Sequence, residues 1–292
     1  MQNTQHNSFI FFGTSRFSVL VLDELKQAGL LPMLLVTVPD APNGRKLILT
    51  PPEAKVWAEA NNIPCLQLAS LKGAEVEKEI RTYIPDSCDV GVVASYGKII
   101  PQHILDIPRH GMINVHPSLL PKLRGASPLQ SAILTANADE VGVTLMNVDA
   151  EMDHGGIVAQ EKVAVPDWPA YESDLEEMLG HVGGKILAEV LPKWIAGDVT
   201  ETAQNHASAT FTKKIEKKDA ELDLSATAME NLCKIRAYHV WPGAYFFATR
   251  NGVQIRVVAK RAHIENGALI IERVVPEGKQ EMSYSDFQKG LR

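Results

Sequence analysis

Two side chains that can act on a small carbonyl group lie two residues apart in this sequence. Asn114 and His116 are at the end of an apolar run, residues 112–116, that is typical of a β-strand. Residues two apart on a strand point to the same face, so an amide N–H and an imidazole can converge there. An amide donor beside an imidazole suits a site that stabilises a developing oxyanion. The pattern therefore predicts an active site for acyl chemistry.

An acidic cluster further along the chain can supply a third group to this site. Residues 149–153 include Asp149 and Asp153, and the turn-forming residues 154–156 follow them. A carboxylate beside a histidine fixes the tautomer of the ring and stabilises the imidazolium, so we expect Asp153 to lie next to His116. Two alternatives stay open on spacing alone. His116 could be a satisfied core histidine, and Asp153 could be a cap or turn residue.

The elements that would position these groups alternate between strand and helix. Short apolar runs at 8–12, 34–38, 90–94 and 112–116 predict buried strands, and helical periodicity covers 17–28, 52–62 and 75–83. This alternation predicts an α/β domain with a doubly wound, mostly parallel, Rossmann-like sheet over residues 1–195. Ligands of such sheets bind outside the carboxyl ends of the strands, where residues 95–97 and 114–121 fall.

The end of the chain has a different pattern. Residues 196–210 are polar and lack apolar periodicity, which predicts a linker. One helix at 229–237 and short strands at 244–248, 253–258 and 268–271, separated by Asn-Gly turns, follow it. They predict a small antiparallel sheet or β-barrel, OB-like in kind, over residues 211–292.

Composition and charge narrow the classes of function. The 292 residues are 45% hydrophobic and carry a net charge of -6, yet residues 211–263 contain ten Lys or Arg against five Asp or Glu. A basic block on an acidic protein is compatible with docking a nucleic acid, although a solvated surface explains the same charges. The nine histidines follow no metal-ligand spacing, so no metal is expected. With neither an apolar run of about 18 residues nor a secretory leader, we expect a cytoplasmic protein.

The ordered set of motifs resembles the methionyl-tRNA formyltransferase family. In the first domain the resemblance rests on residues 13–14, 39–45, 94–97, 113–121, 124–126, 142–144 and 152–155. In the second domain it rests on residues 214–219, 222–223, 235–239 and 241–244. The second set separates this family from shorter formyltransferases, which share only the catalytic core. One departure is Gly156, which stands where relatives usually have an Asp.

The resemblance implies that a formyl group passes from 10-formyltetrahydrofolate to the α-amino group of methionine on initiator tRNA. It implies that Asn114 and His116 donate to the formyl oxygen, and that Asp153 supports His116 and assists proton removal. The folate-binding residues that it implies are Tyr96, Gly97, Ile99, Ser118, Leu119, Leu120, Pro121 and Asp149. The tRNA-binding residues that it implies are Arg45, Lys46, Lys213, Lys214 and Arg236. We expect a monomer.

Three other functions compete with this interpretation. An enzyme that formylates an amino-sugar nucleotide would share the core, the folate and the trio Asn114, His116 and Asp153. A hydrolase would use the same site with water as the acceptor. A nucleotide- or RNA-binding module with a decayed site is the non-enzymatic alternative. The second domain and the segment that carries Arg45 favour the tRNA interpretation over the amino-sugar one.

Overall fold

The computed structural model describes residues 8–43, 47–84 and 88–291, which form two compact units. The first unit takes the chain up to Arg124, then Gly142–Val163 and Glu177–Phe211. The second takes Gly125–Val141, Ala164–Glu176 and the chain from Thr212 onward. Each unit therefore contains segments from separate parts of the sequence.

The strands and helices are as follows. The strands are β1 (Phe9–Gly13), β2 (Leu34–Thr37), β3 (Ala41–Asn43), β4 (Ile48–Thr50), β5 (Cys65–Gln67), β6 (Val90–Ala94), β7 (Met112–His116), β8 (Gly142–Asn147), β9 (Ile157–Lys162), β10 (Tyr245–Arg250), β11 (Val253–Glu265), β12 (Ala268–Pro276) and β13 (Met282–Ser283). The α-helices are α1 (Arg16–Gln27), α2 (Glu53–Ala60), α3 (Ala74–Arg81), α4 (Gln102–Leu105), α5 (Pro128–Leu134), α6 (Glu172–Ala196), α7 (Ala228–Ala237) and α8 (Tyr284–Lys289).

The first unit is organised around a seven-stranded sheet. Its strand order is β5-β2-β1-β6-β7-β8-β9. The first five strands in this order, β5, β2, β1, β6 and β7, run parallel. Strands β8 and β9 are antiparallel additions at one edge. All of β1 is buried, as expected for a central strand covered on both faces. The predicted doubly wound, mostly parallel sheet is thus confirmed, and the antiparallel edge is an addition to it.

Strands β1 and β6 are parallel, but the order in which the chain adds strands reverses between them, since β2 and β5 lie on one side of β1 and β6 and β7 on the other. The turn after β1 is tight because a Cβ at Gly13 would lie 2.6 Å from the Phe11 ring and 2.7 Å from Ser18 Oγ. Ser18 Oγ fixes the turn, since it accepts from Thr14 N at 2.8 Å and donates to Ala94 O at 2.6 Å. This arrangement supports a structural turn at residues 13–15, and it aligns the carboxyl ends of the two central strands.

The second unit is organised around an antiparallel four-stranded sheet. Its strand order is β10-β11-β12-β13, and a bulge interrupts β11 between Ala259 and Ala262. Helix α7 begins with a capping box, in which Thr227 Oγ1 accepts from Glu230 N at 3.2 Å and the Glu230 carboxylate accepts from Thr227 N at 2.9 Å. The predicted small C-terminal β domain is confirmed. No helix in the described ranges of the chain is long and apolar enough to cross a membrane.

Candidate active site

The structure brings Asn114, His116 and Asp153 together at the end of β7. Asn114 and His116 lie on that strand, and Asp153 lies on the loop between β8 and β9, residues 148–156. Asn114 Nδ2 donates to Asp153 Oδ1 at 3.4 Å, and His116 Nδ1 lies 3.7 Å from the same oxygen. His116 is only 4% exposed. An amide, an imidazole and a carboxylate thus share one corner of the first unit, in which the imidazole is buried and the other two groups are half-buried.

The protonation of the His116 ring follows from its second nitrogen. Nε2 lies 3.0 Å from Leu123 O, and a carbonyl oxygen can only accept, so Nε2 carries a hydrogen. In the neutral ring, Nδ1 is therefore unprotonated, and it is the nitrogen that faces Asp153. Leu123 has a φ of 59°, in the left-handed region, which a leucine adopts only when its surroundings impose it. The loop after β7 is accordingly built to hold the ring.

The loop that carries Asp153 is held in an unusual backbone conformation. Asp153 has a φ of 51°, in the left-handed region that aspartate tolerates better than most residues. A Cβ at Gly155 would lie 1.9 Å from Asn147 O, so only glycine fits there. His154 Nδ1 pairs with Asp149 Oδ2 at 2.7 Å, which ties the start of the loop to its end. The carboxylate of Asp153 is therefore positioned by its backbone.

Residues 117–124 form a loop whose polar groups are bonded within the loop and to the neighbouring strands β8 and β9. Ser118 Oγ donates to Lys122 O at 2.6 Å, and Thr144 Oγ1 donates to Ser118 O at 2.6 Å. Leu120 N donates to Thr144 Oγ1 at 3.1 Å, and Gln160 Nε2 donates to Leu120 O at 2.9 Å. The side chains of Ser118 and Leu120 are both buried. The hydrogen bonds hold the loop in place, and these two side chains are not exposed to solvent.

The other predicted folate-binding residues differ in exposure. Tyr96 is buried against Phe12, its hydroxyl has no hydrogen-bond partner among the described residues, and burial raises its pKa to about 12. Gly97 is exposed and Ile99 is 83% exposed, on the loop that follows β6. The half-buried residues of the predicted set are Leu119, Pro121 and Asp149. An exposed isoleucine at the carboxyl edge of a parallel sheet provides an apolar surface where ligands of such sheets bind.

Two of the predicted tRNA-binding residues, Arg45 and Lys46, lie outside the described residues. On either side of them, β3 and β4 pair antiparallel, with Ala41 opposite Thr50. The strand before them is tied down by Asp40, which accepts from Gln67 at 2.6 Å and from Lys55 at 2.9 Å. The hydrogen bond from Gln67, and then that from Lys55, lower the pKa of Asp40 below its ordinary value.

The predicted tRNA-binding residues of the second unit fall into two groups. Lys213 and Lys214 are exposed. Arg236 is half-buried, because its guanidinium donates to Pro169 O and lies over the Tyr171 ring, 5.2 Å from the ring centroid. The charge of Arg236 is therefore engaged within the second unit, whereas the two lysines present theirs to solvent.

The predicted linker packs closely on the site loops of the first unit. We call residues 201–211 the brace segment. Thr202 exchanges two backbone hydrogen bonds with Ile157, both at 2.8 Å, and Glu201 packs where a side chain at Gly156 would lie. Thr210 Oγ1 accepts from Leu123 N at 2.9 Å. The polar composition of residues 196–210 predicted a linker. The sequence does not reveal which distant backbone groups these side chains bond, so the packing of this segment could not be predicted.

No cluster of three or more His, Cys, Asp or Glu that could hold a metal ion occurs within the part of the chain that the structure describes. The site itself brings together an amide, an imidazole and a carboxylate. The amide and a protonated imidazole can donate hydrogen bonds to an oxyanion, and the imidazole beside the carboxylate can move a proton.

Two protein-family models match this chain, and both agree with the fold and the geometry of the site. The family model described as formyl transferase matches residues 7–191, and the model described as formyl transferase, C-terminal domain, matches residues 214–266. The class of the protein is therefore that of the formyl transferases.

Known relatives narrow the class. A methionyl-tRNA formyltransferase from Chloroflexus aggregans is 42% identical over 82% of this chain and 75% of its own length. One from Myxococcus xanthus is 34% identical over 96% of this chain and 94% of its own length. The structure of a methionyl-tRNA formyltransferase from Clostridium thermocellum has a TM-score of 0.61 at 17% identity, covering 92% of this chain and 98% of the other. The chain belongs to the methionyl-tRNA formyltransferase family.

Proposed function

We propose that this protein transfers the formyl group of 10-formyltetrahydrofolate to the α-amino group of methionyl initiator tRNA. Family membership over both domains supports this activity. The observation that carries it is the meeting of Asn114, His116 and Asp153, which come from two different elements and share one carboxylate oxygen. This arrangement supplies the groups that acyl transfer to an amine requires.

The hydrogen bonds of the site suggest how each group acts. The amine nitrogen bonds to the formyl carbon while charge grows on the formyl oxygen, and the second N–H of the Asn114 amide can donate to that oxygen. His116 Nδ1 takes up a proton beside Asp153, because the carboxylate at 3.7 Å stabilises the imidazolium. The protonated Nδ1 then donates to the formyl oxygen. When the bond from the formyl carbon to the folate nitrogen breaks, that nitrogen gains a proton as the amine loses one. The His116–Asp153 pair therefore shuttles a proton and consumes none.

The folate would lie along the loops that follow β6 and β7. Ile99, which is 83% exposed, together with Leu119 and Pro121, offers an apolar wall of the kind that a flat heteroaromatic ring requires. Gly97 leaves room for close approach, because no atom lies within 4 Å of the position of its missing Cβ. In this proposal Ser118 and Leu120 contribute by holding the loop that carries Leu119 and Pro121.

The acceptor tRNA would be bound mainly through its phosphates. Lys213 and Lys214 are exposed at the start of the second domain and suit phosphate contacts, which position a nucleic acid without reading its bases. Arg45 and Lys46 are proposed as contacts to the acceptor end. Arg236 is proposed to act through the segment that it holds at Pro169 and Tyr171.

The remaining parts of the proposal concern organisation. We assign catalysis to residues 1–195, the connection to 196–210 and tRNA binding to 211–292. We propose that the protein acts as a monomer in the cytoplasm, where its relatives take part in translation.

The test is an assay in which purified protein and 10-formyltetrahydrofolate are offered methionyl-tRNA, free methionine and an amino-sugar nucleotide in parallel. Transfer to methionyl-tRNA alone is expected. Transfer to the amino sugar, or formate release at the full rate without any amine, would overturn the proposal. His116→Ala should bind tRNA normally and lose transfer by on the order of 10²-fold or more. Unchanged turnover in that variant would refute its role.

A further inference from the structure

We propose that Gln204 is a positioning residue for the reaction, because its amide joins the loop that holds His116 to the loop that carries Asp153. This inference rests on the proposed function, since it assigns a residue to the same site. Gln204 belongs to the brace segment, and it is only 5% exposed in spite of its polar neighbours. The brace segment is thereby connected to the chemistry that the two loops perform.

Every hydrogen-bonding group of the Gln204 amide is used. Nε2 donates to Asp153 O at 3.0 Å and to Gly155 O at 2.7 Å. Oε1 accepts from Arg124 Nε at 3.1 Å and from a terminal nitrogen of Arg124 at 2.6 Å. An amide has two donor hydrogens and two acceptor lone pairs, so this set satisfies it completely. Guanidinium only donates and carbonyls only accept, so the amide can take one orientation alone.

The two ends of this bridge reach the reacting groups by short paths. On one side, Gln204 bonds the carbonyl of Asp153 itself, whose φ of 51° needs support. On the other side, Arg124 directly follows Leu123, whose carbonyl oxygen fixes His116 Nε2 at 3.0 Å. The amide therefore sets the separation between the carboxylate and the imidazole, although it touches neither side chain.

Neighbouring contacts keep the bridge rigid. Arg124 is 3% exposed, and its terminal nitrogen also lies 2.9 Å from His206 Nδ1. The His206 ring stacks on the His154 ring, with centroids 4.1 Å apart and planes 7° from parallel. His154 lies on the same loop as Asp153, so the brace segment grips that loop at two places. This second contact between the brace segment and the loop helps to fix the position of Gln204.

The experiment compares two substitutions that separate the halves of the bridge. Gln204→Glu keeps an acceptor for Arg124 but removes the donors to Asp153 and Gly155, whereas Gln204→Ala removes both halves. If the donors position Asp153, both variants should lose on the order of 10²-fold in kcat, with KM for both substrates within about twofold of wild type. A variant Gln204→Glu that keeps the wild-type kcat would overturn the proposal.

A control and a double-mutant cycle separate positioning from general stability. Asn231→Ala removes a buried amide that donates to two carbonyls, Asp223 O at 2.7 Å and Thr227 O at 3.3 Å, in the second unit. It should lower resistance to urea to a similar degree while leaving kcat unchanged.

In the cycle, Gln204→Ala is combined with Asp153→Asn and transfer is measured with enzyme in excess over tRNA. If Gln204 acts through Asp153, the double variant should be no more than about threefold slower than Asp153→Asn alone. Multiplied effects would overturn the inference. So would a higher KM at normal kcat. Wild-type protein that fails to formylate methionyl-tRNA would instead overturn the proposed function, so the two failures are distinguishable.

Discussion

Replacing Asn114 tests the oxyanion part of the proposal most directly. The residue is half-buried, and the hydrogen bond from its side chain to Asp153, at 3.4 Å, is long. Asn114→Ala should therefore cost less than about 1 kcal/mol of stability. Loss of one oxyanion donor costs about 3 kcal/mol of transition-state stabilisation, which corresponds to on the order of 10²-fold in kcat.

Asn114→Asp has nearly the same shape but opposite electrostatics. It places a second carboxylate 3.4 Å from Asp153 Oδ1, where two unit charges at an effective dielectric of about 20 repel by about 5 kcal/mol. Proton uptake by the pair relieves this repulsion, so the folded variant binds a proton more readily than the unfolded chain. Its stability should consequently fall as the pH rises toward 7 and recover as the pH falls. Its kcat should be lower than that of Asn114→Ala.

Steady-state transfer to methionyl-tRNA and urea denaturation at several pH values measure both effects. Asn61→Ala is a matched control, because Asn61 is also half-buried and its amide donates to one backbone carbonyl, Trp57 O, at 2.8 Å. It should leave kcat unchanged. The reasoning would be refuted by an Asn114→Asp variant with wild-type turnover, or by an Asn114→Ala variant that loses less than threefold.

Two further predictions concern stability. Burial alone would raise the pKa of Asp89, but hydrogen bonds from Ser8 and the contact with Arg109 outweigh burial and lower that pKa. The stabilisation by Asp89 is therefore present above the pKa of the unfolded state and is lost as the pH falls through the pKa of the folded state. Asp89→Asn should cost about 2 kcal/mol at pH 7 and flatten the loss of stability in acid, as followed by urea denaturation from pH 7 to 3; an unaltered acid limb would contradict this. Thr227→Ala removes the N-cap of α7 and should cost about 1 kcal/mol, measured by thermal or urea unfolding, and no change would argue against the cap.

Much of the first unit could be predicted because its strands are continuous apolar runs. The runs at 90–94 and 112–116 coincide with β6 and β7, and the helical periodicity at 17–28 with α1. The antiparallel pair β8 and β9 was not predicted. Three of the six residues of β9 are exposed and polar, so this edge strand lacks the apolar pattern that marks a buried one. The position of β9 in the sheet depends on its pairing with β8, and the local sequence contains no pattern that indicates this pairing.

The candidate site could be predicted in part for the same physical reason. Asn114 and His116 share a face because strand geometry has a period of two, so their convergence follows from local structure alone. Asp153 was expected beside them from its turn-forming neighbours. Gln204 could not be found in this way, because its role depends on three chain segments meeting. A single glutamine in a polar stretch has no distinguishing local pattern.

The brace segment also bears on where the protein can be cut. Contacts from Thr202, Gln204 and Thr210 belong to the first unit, which continues to Phe211. A fragment designed to end at residue 195 would therefore leave the carbonyl of Asp153 and the guanidinium of Arg124 without their amide. If Gln204 positions Asp153 as proposed, a catalytic fragment has to retain the chain through residue 211, beyond the proposed domain boundary at 195.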